Sequence, residues 1–222
     1  MTQYIATEAP QRQFSLAEFE QRMAAAQSLM RELNLDGMLL TTETNVRYFS
    51  GYFTQFWQSP TRPWFLILPA TGKPIAVIPI IGVVGMSSTW VDDVRAWPSP
   101  LPEDDGVSLL SQTLAELPKR FGRIGMTLGR ETHLRMPQKQ VQSLYASSHF
   151  ELVDVSREVL HLRSLKSTAE INRVAHVCGV TSRAFAQLPS FAKVDMTERE
   201  LVAEFRMELL RQGADHSPFI VS

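Results

Sequence analysis

Between Ser15 and Val155 the sequence alternates apolar runs of strand length with longer stretches whose apolar residues recur every three or four positions. Such alternation leaves few foldable arrangements other than helices layered on both sides of one sheet. The strand-like runs are Gly37–Leu40, Trp64–Leu68, Ile75–Pro79, Val91–Trp97, Arg123–Leu128 and Phe150–Val155. Ser15 and Glu18 have capping-box spacing and predict the start of a helix. That helix buries Leu16, Phe19, Met23, Ala26, Met30 and Leu33, turns Glu20, Arg22, Arg31 and Glu32 outward, and ends at Asn34 and Asp36-Gly37. Further helices are predicted over Thr44–Ser50, stopped by Gly51, over Val107–Leu117 and over Pro137–Ala146. Pro69-Ala-Thr-Gly-Lys-Pro74 lies between two strand runs and signals a hairpin. An antiparallel piece therefore joins the sheet, and the reading is a three-layer α/β unit with a mixed sheet.

The pattern changes after Val155. Ser156–Arg163 predicts a short linking helix, and Ser167-Thr-Ala-Glu170 and Thr197-Glu-Arg-Glu200 are two more capping boxes. The first opens a helix of some twenty residues with Ile171, Val174, Cys178, Thr181 and Phe185 on one face. The second opens a helix through Leu201, Phe205, Leu209 and Leu210 that Gly213 closes. The chain then stops at Ser222 on the strand-like run Phe219-Ile-Val-Ser, which reads as a cut inside a second domain. The expected division is 1–155, a linking helix over 156–166, and an incomplete domain over 167–222.

Several classes of function lose ground on composition and motif. Lys and Arg number 22 against 23 Asp and Glu, a formal charge of -1, so no overall basic field attracts nucleic acid. No apolar run is long enough to span a bilayer, and the first residues lack a secretory pattern. Cys178 is the single cysteine, which fits a reducing cytoplasm. Gly-x-Gly-x-x-Gly, P-loop and Gly-x-Ser-x-Gly motifs are absent. His133, His149, His161, His176 and His216 share no metal-ligand spacing with one another or with Cys178. Asp92-Asp93 and Asp104-Asp105 read as solvated acids, and Cys178 as a packing residue rather than a nucleophile.

From Tyr52 to Trp64 the chain is aromatic and carries few charges: Tyr-Phe-Thr-Gln-Phe-Trp-Gln-Ser-Pro-Thr-Arg-Pro-Trp. Two readings stand side by side. Phe53, Phe56 and Trp57 cap the core, or they form a rigid surface beside Arg62 that meets a ligand or another subunit.

Taken together, Leu35-Asp-Gly-Met-Leu-Leu40, Asn45-Val-Arg-Tyr-Phe-Ser-Gly51, the paired strands and Arg163-Ser-Leu-Lys-Ser-Thr-Ala-Glu-Ile171, followed by Thr-Glu-Arg-Glu-Leu and Gly-Ala-Asp, resemble the creatinase, prolidase and Xaa-Pro aminopeptidase family. The resemblance spans nearly the whole chain. It implies a creatinase-like amino-terminal domain followed by the first helices of a pita-bread metallohydrolase domain, in a homodimer or larger homo-oligomer. It further implies cleavage of a small amide or peptide bond using two divalent metal ions (Mn, Co or Zn), held by two Asp, one His and two Glu that would follow Ser222. No metal ligand and no catalytic residue is therefore assigned within the chain, and the chain alone is expected to be inactive. In creatinases an Arg-Pro-aromatic segment binds the substrate carboxylate in a neighbouring subunit. The match here is Arg62-Pro63-Trp64, with Phe56 and Trp57 as secondary candidates and His216 as a pocket-lining one. The alternatives are a non-peptidase hydrolase or lyase on the same scaffold, or a non-catalytic dimerisation or binding module.

Overall fold

The computed structural model describes residues 9–59, 62–130, 132 and 134–218. His133 and the terminal Phe219-Ile-Val-Ser run lie outside them. The chain divides into two compact units, one over Gln13–Leu165 and one formed by residues up to Arg12 together with those from Lys166 onward.

The first unit holds a six-stranded sheet of β1 (Gly37–Leu40), β2 (Phe65–Pro69), β3 (Ile75–Pro79), β4 (Asp93–Trp97), β5 (Arg123–Met126) and β6 (Glu151–Asp154), in the order β4-β3-β2-β1-β5-β6. Strand β2 pairs antiparallel with both β1 and β3, and every other pairing is parallel. Five strands thus share one direction. The carboxyl ends of those five and the amino end of β2 meet along one edge of the sheet.

Among the described residues, six α-helices cover the two faces. Against one lie α1 (Leu16–Leu33), α2 (Glu43–Ser50), α3 (Val83–Ser87) and α6 (Ser156–Ser164), enclosing Met30, Met38, Leu40, Phe49, Trp64, Leu66, Ile78, Met86 and Val159. Against the other lie α4 (Val107–Ala115) and α5 (Gln138–Ser147), enclosing Leu39, Phe65, Ile67, Leu110, Leu114, Ile124 and Leu144. The alternation Leu66, Leu68 against Phe65, Ile67 sends successive side chains of β2 to opposite cores, as a strand buried on both faces requires.

Helix α1 begins and ends where the sequence signals it. Ser15 Oγ accepts from the Glu18 N–H, and Asn34 closes the helix in the left-handed region at φ 54°. Two details differ. Leu16 is 52% exposed, and Arg22 does not face away but is buried, at 5%. Its guanidinium donates to Tyr48 O at 2.7 Å and to Glu18 Oε1 at 3.1 Å, and lies 4.1 Å from the Phe14 ring centroid and 4.2 Å from that of Tyr48. Burial is tolerable because a carboxylate, a carbonyl and two π-faces replace water around the charge. Helix α3 was not anticipated; Val83-Val-Gly-Met-Ser carries no helical periodicity and simply continues the apolar run of β3.

Asp36 ties the sheet together at its other edge. It is 3% exposed, and its carboxylate accepts from the backbone N–H groups of Arg120, Phe121 and Gly122 at 3.0, 3.0 and 2.6 Å and from that of Arg123 at 3.4 Å. Its own N–H donates to Arg123 O at 2.8 Å. The loop entering β5 is thereby wrapped around one side chain at the start of β1.

The second unit contains α7 (Thr168–Ala186), α8 (Leu188–Phe191) and α9 (Glu198–Arg211). Both capping boxes are complete, with Ser167 paired to Glu170 and Thr197 to Glu200. Ala184, Phe205 and Leu209 form its small core. The apolar face of α7 expected from sequence is exposed in this chain: Ile171 is 49% accessible, Val174 61% and Phe185 55%. Cys178 on that face is exposed as well, correcting its reading as a packing residue. The buried residues of α7, Val180 and Ala184, lie on the other side of the helix, while the partly exposed Phe185 ring meets Phe205 with centroids 4.6 Å apart.

Candidate functional site

The loops at the carboxyl edge of the sheet carry Phe56, Trp57, Arg62 and Trp64. Gly51, at φ 78°, stops α2 and releases the aromatic segment. Gln55–Gln58 forms a single 3-10 turn capped by Thr54, whose hydroxyl accepts from the Phe56 N–H at 3.3 Å. The chain re-enters the sheet at β2.

The segment divides between core and surface. Trp57 and Trp64 are buried, at 5% and 0%, with ring centroids 5.8 Å apart, and Tyr52 lies 5.5 Å from Trp64. Burial pushes the Tyr52 phenol above its ordinary pKa. Phe53 and Phe56 are exposed, at 57% and 37%, and Arg47 covers the Phe53 ring at 4.6 Å. Trp64 is wedged against Gly82, where a Cβ would sit 2.3 Å from its ring. Its place in the core makes it an anchor for the loop rather than a surface.

Arg62 is half-buried next to that anchor, and its Nε is buried without a partner among the described residues. A guanidinium in this condition retains its capacity for a fork-like pair with a carboxylate. Arg135 enters the same neighbourhood from the loop after β5. It donates to Ser59 O, its guanidinium carbon lies 5.0 Å from the Trp57 ring centroid, and burial lowers its pKa while the charge of Glu43 opposes that shift. No sequence signal pointed to Arg135. His216 is exposed and lies in the other unit.

Two further ties organise this edge. Arg163 Nη1 donates to Asn45 Oδ1 at 3.0 Å, joining residues 118 positions apart. The Asp154 carboxylate accepts from Leu128 N at 3.1 Å, Ser156 N at 3.0 Å and Ser156 Oγ at 2.5 Å, and Ser156 Oγ accepts from Gly129 N at 2.7 Å. The Ser156 hydroxyl and these N–H groups hold the Asp154 carboxyl below the usual carboxylate range. A pKa lowered by folding contributes stability that is complete above the ordinary value near 3.8 and is lost as pH falls through the lower folded value. The stability gap between wild type and Asp154→Asn is expected to stay constant above about pH 5 and to shrink at lower pH, measured by urea unfolding across that range.

A profile of the creatinase/prolidase N-terminal domain matches residues 22–165. The chain belongs to this family. An uncharacterized peptidase of Bacillus subtilis is 27% identical over 212 residues, covering 89% of this chain and 51% of that protein. Dipeptidase PepE from Mycobacterium ulcerans shares the fold with a TM-score of 0.71 at 23% identity, across 94% of this chain and 53% of that one. Xaa-Pro dipeptidase from Bacillus anthracis does so with a TM-score of 0.70 at 18% identity, across 89% and 50%. The creatinase/prolidase chain thus spans about half the length of the curated relatives it matches. Its architecture, a mixed-sheet α/β domain followed by the helices that open a pita-bread domain, agrees with these neighbours.

Among the described residues, no three His, Cys, Asp or Glu side chains gather closely enough to hold a metal ion, so no chemical step is assigned to a metal here. Among the same residues, no helix is long and apolar enough to cross a membrane.

Proposed function

We propose that this chain is the amino-terminal portion of a dinuclear-metal hydrolase of the Xaa-Pro dipeptidase type, acting on a small peptide or amide. Residues 1–155 form the creatinase-like domain, 156–166 the linking helix and 167–222 the opening of the catalytic domain. Metal ligands and the reacting water belong to residues beyond this chain. Arg62 supplies the carboxylate contact, and Phe56 lends exposed aromatic surface beside it, in the site of a neighbouring subunit of a homodimer or larger homo-oligomer. The observation that carries this reading is the family match over residues 22–165.

The test is turnover. The intact protein, stripped with a chelator and reloaded with Mn, Co or Zn, is expected to hydrolyse Xaa-Pro dipeptides, and the 222-residue chain treated identically is not. Turnover by the 222-residue chain would sink the assignment of the chemistry elsewhere. Failure of the intact protein on every dipeptide and small amide tried, with each metal, would remove the hydrolase reading.

A second reading, a binding or dimerisation module, is favoured by one observation: the exposed apolar face of α7 at Ile171 and Val174. A protein that binds its own copies tightly and shows no metal-dependent turnover would fit it.

A further inference from the structure

Arg135 combines features that a merely solvated arginine lacks. Its backbone lies in the left-handed region at φ 57°, which a residue with a Cβ adopts rarely and only when its surroundings enforce it. Its side chain reaches from the loop after β5 to the loop before β2, passing the carboxyl end of β1, which lies between those strands. There it makes two contacts of different geometry: a hydrogen bond in the guanidinium plane to Ser59 O, and a cation–π contact 5.0 Å from the Trp57 ring centroid. A lysine could satisfy one of these but not both. Its Nε is buried with no partner among the described residues. Glu43 is the charge that supports the cation, and burial works against it.

Ser59 precedes Arg62 by three residues and Trp64 follows it by two. Trp64 is fixed by its full burial and by the close approach of Gly82. Among the described residues, the upstream side is held by the Trp57 ring and the Thr54 cap, and Arg135 grips it at both Trp57 and Ser59. We propose that Arg135 is a positioning residue that clamps the chain at Trp57 and Ser59 and thereby sets the placement of Arg62. The proposal rests on the reading of Arg62 as the substrate-carboxylate contact, and its test separates the two.

In the intact protein, Arg135→Ala is expected to raise KM for an Xaa-Pro dipeptide about tenfold and to leave kcat within about twofold, because a displaced binding group weakens ground and transition states alike. Backbone amides of 52–64 are expected to exchange faster, with β1 and β5 unchanged. Arg135→Lys, the milder variant that keeps the charge, should recover only part of both effects. The double variant Arg62→Ala with Arg135→Ala is expected to show the KM of Arg62→Ala alone, since a residue acting through another adds nothing once the other is gone. Multiplying effects in the double variant, or unchanged exchange over 52–64 in both single Arg135 variants, overturn the proposal. If Arg62→Ala is kinetically silent while Arg135→Ala still loosens 52–64, the clamp stands and the carboxylate reading of Arg62 falls.

Discussion

Replacing Asp36 by alanine is expected to destabilise the α/β unit by about 3–5 kcal/mol, the range seen when a buried charged acceptor is removed and its donors are stranded. The carboxylate is the shared acceptor for the N–H groups of Arg120, Phe121, Gly122 and Arg123, all in the turn that enters β5. A buried donor left without an acceptor costs about 1–3 kcal/mol, and water admitted to the gap offsets part of the sum. Asp36→Asn should recover only part of the loss, because its NH2 group faces donors where an acceptor is needed. The measurement is convenient: the four tryptophans, Trp57, Trp64, Trp90 and Trp97, all lie within Gln13–Leu165. Tryptophan fluorescence during urea unfolding therefore reports on this unit alone. A midpoint shift worth less than about 1 kcal/mol would contradict the account.

Arg62→Ala in the intact protein is expected to lower kcat/KM for Xaa-Pro dipeptides about a hundredfold, mostly through KM. Truncating one side of a hydrogen-bonded charge pair in a desolvated site costs about 2–5 kcal/mol, and a contact made equally in ground and transition states appears in KM. The charge survives in Arg62→Lys but the planar fork does not, so that variant should fall between the two. A substrate whose carboxylate is replaced by a carboxamide supplies the control. Wild type should handle it poorly, and Arg62→Ala should make it little worse. Equal losses on the acid and the amide would mean that Arg62 acts on the shape of the loop and not on substrate charge.

Periodicity reports what a segment hides, and where that sufficed the fold was legible. The bounds of β1 and β3 are those expected, β2 starts one residue later, and the other strands lose only ends. The caps at Ser15, Ser167 and Thr197 are formed by the residues whose spacing announced them, although Glu18 turns to Arg22 instead of back to Ser15. What stayed hidden depends on partners distant in sequence. Arg22 reads as a surface residue until Phe14 and Tyr48 close around it. Asn45 and Arg163 sit in the two segments that carry the family resemblance, yet nothing in either announces their hydrogen bond. On the site, residue type drew attention to Arg62, since a lone cation among aromatics has few uses. Arg135 escaped because a left-handed backbone at a non-glycine residue leaves no trace in composition or spacing.

The reversed strand β2 has a consequence for how such a scaffold changes over evolutionary time. Because the aromatic segment runs into β2 at the carboxyl edge, both of its ends are fixed by backbone features independent of its length: Gly51 in its left-handed turn and Trp64 in the core. Doubling a flexible loop between fixed ends costs only about 0.6 kcal/mol of closure entropy. Insertions and deletions there leave strand register untouched while they change how far Arg62 reaches. On the proposed role of Arg62, selectivity can thus drift through loop length while the sheet that carries the loop stays the same.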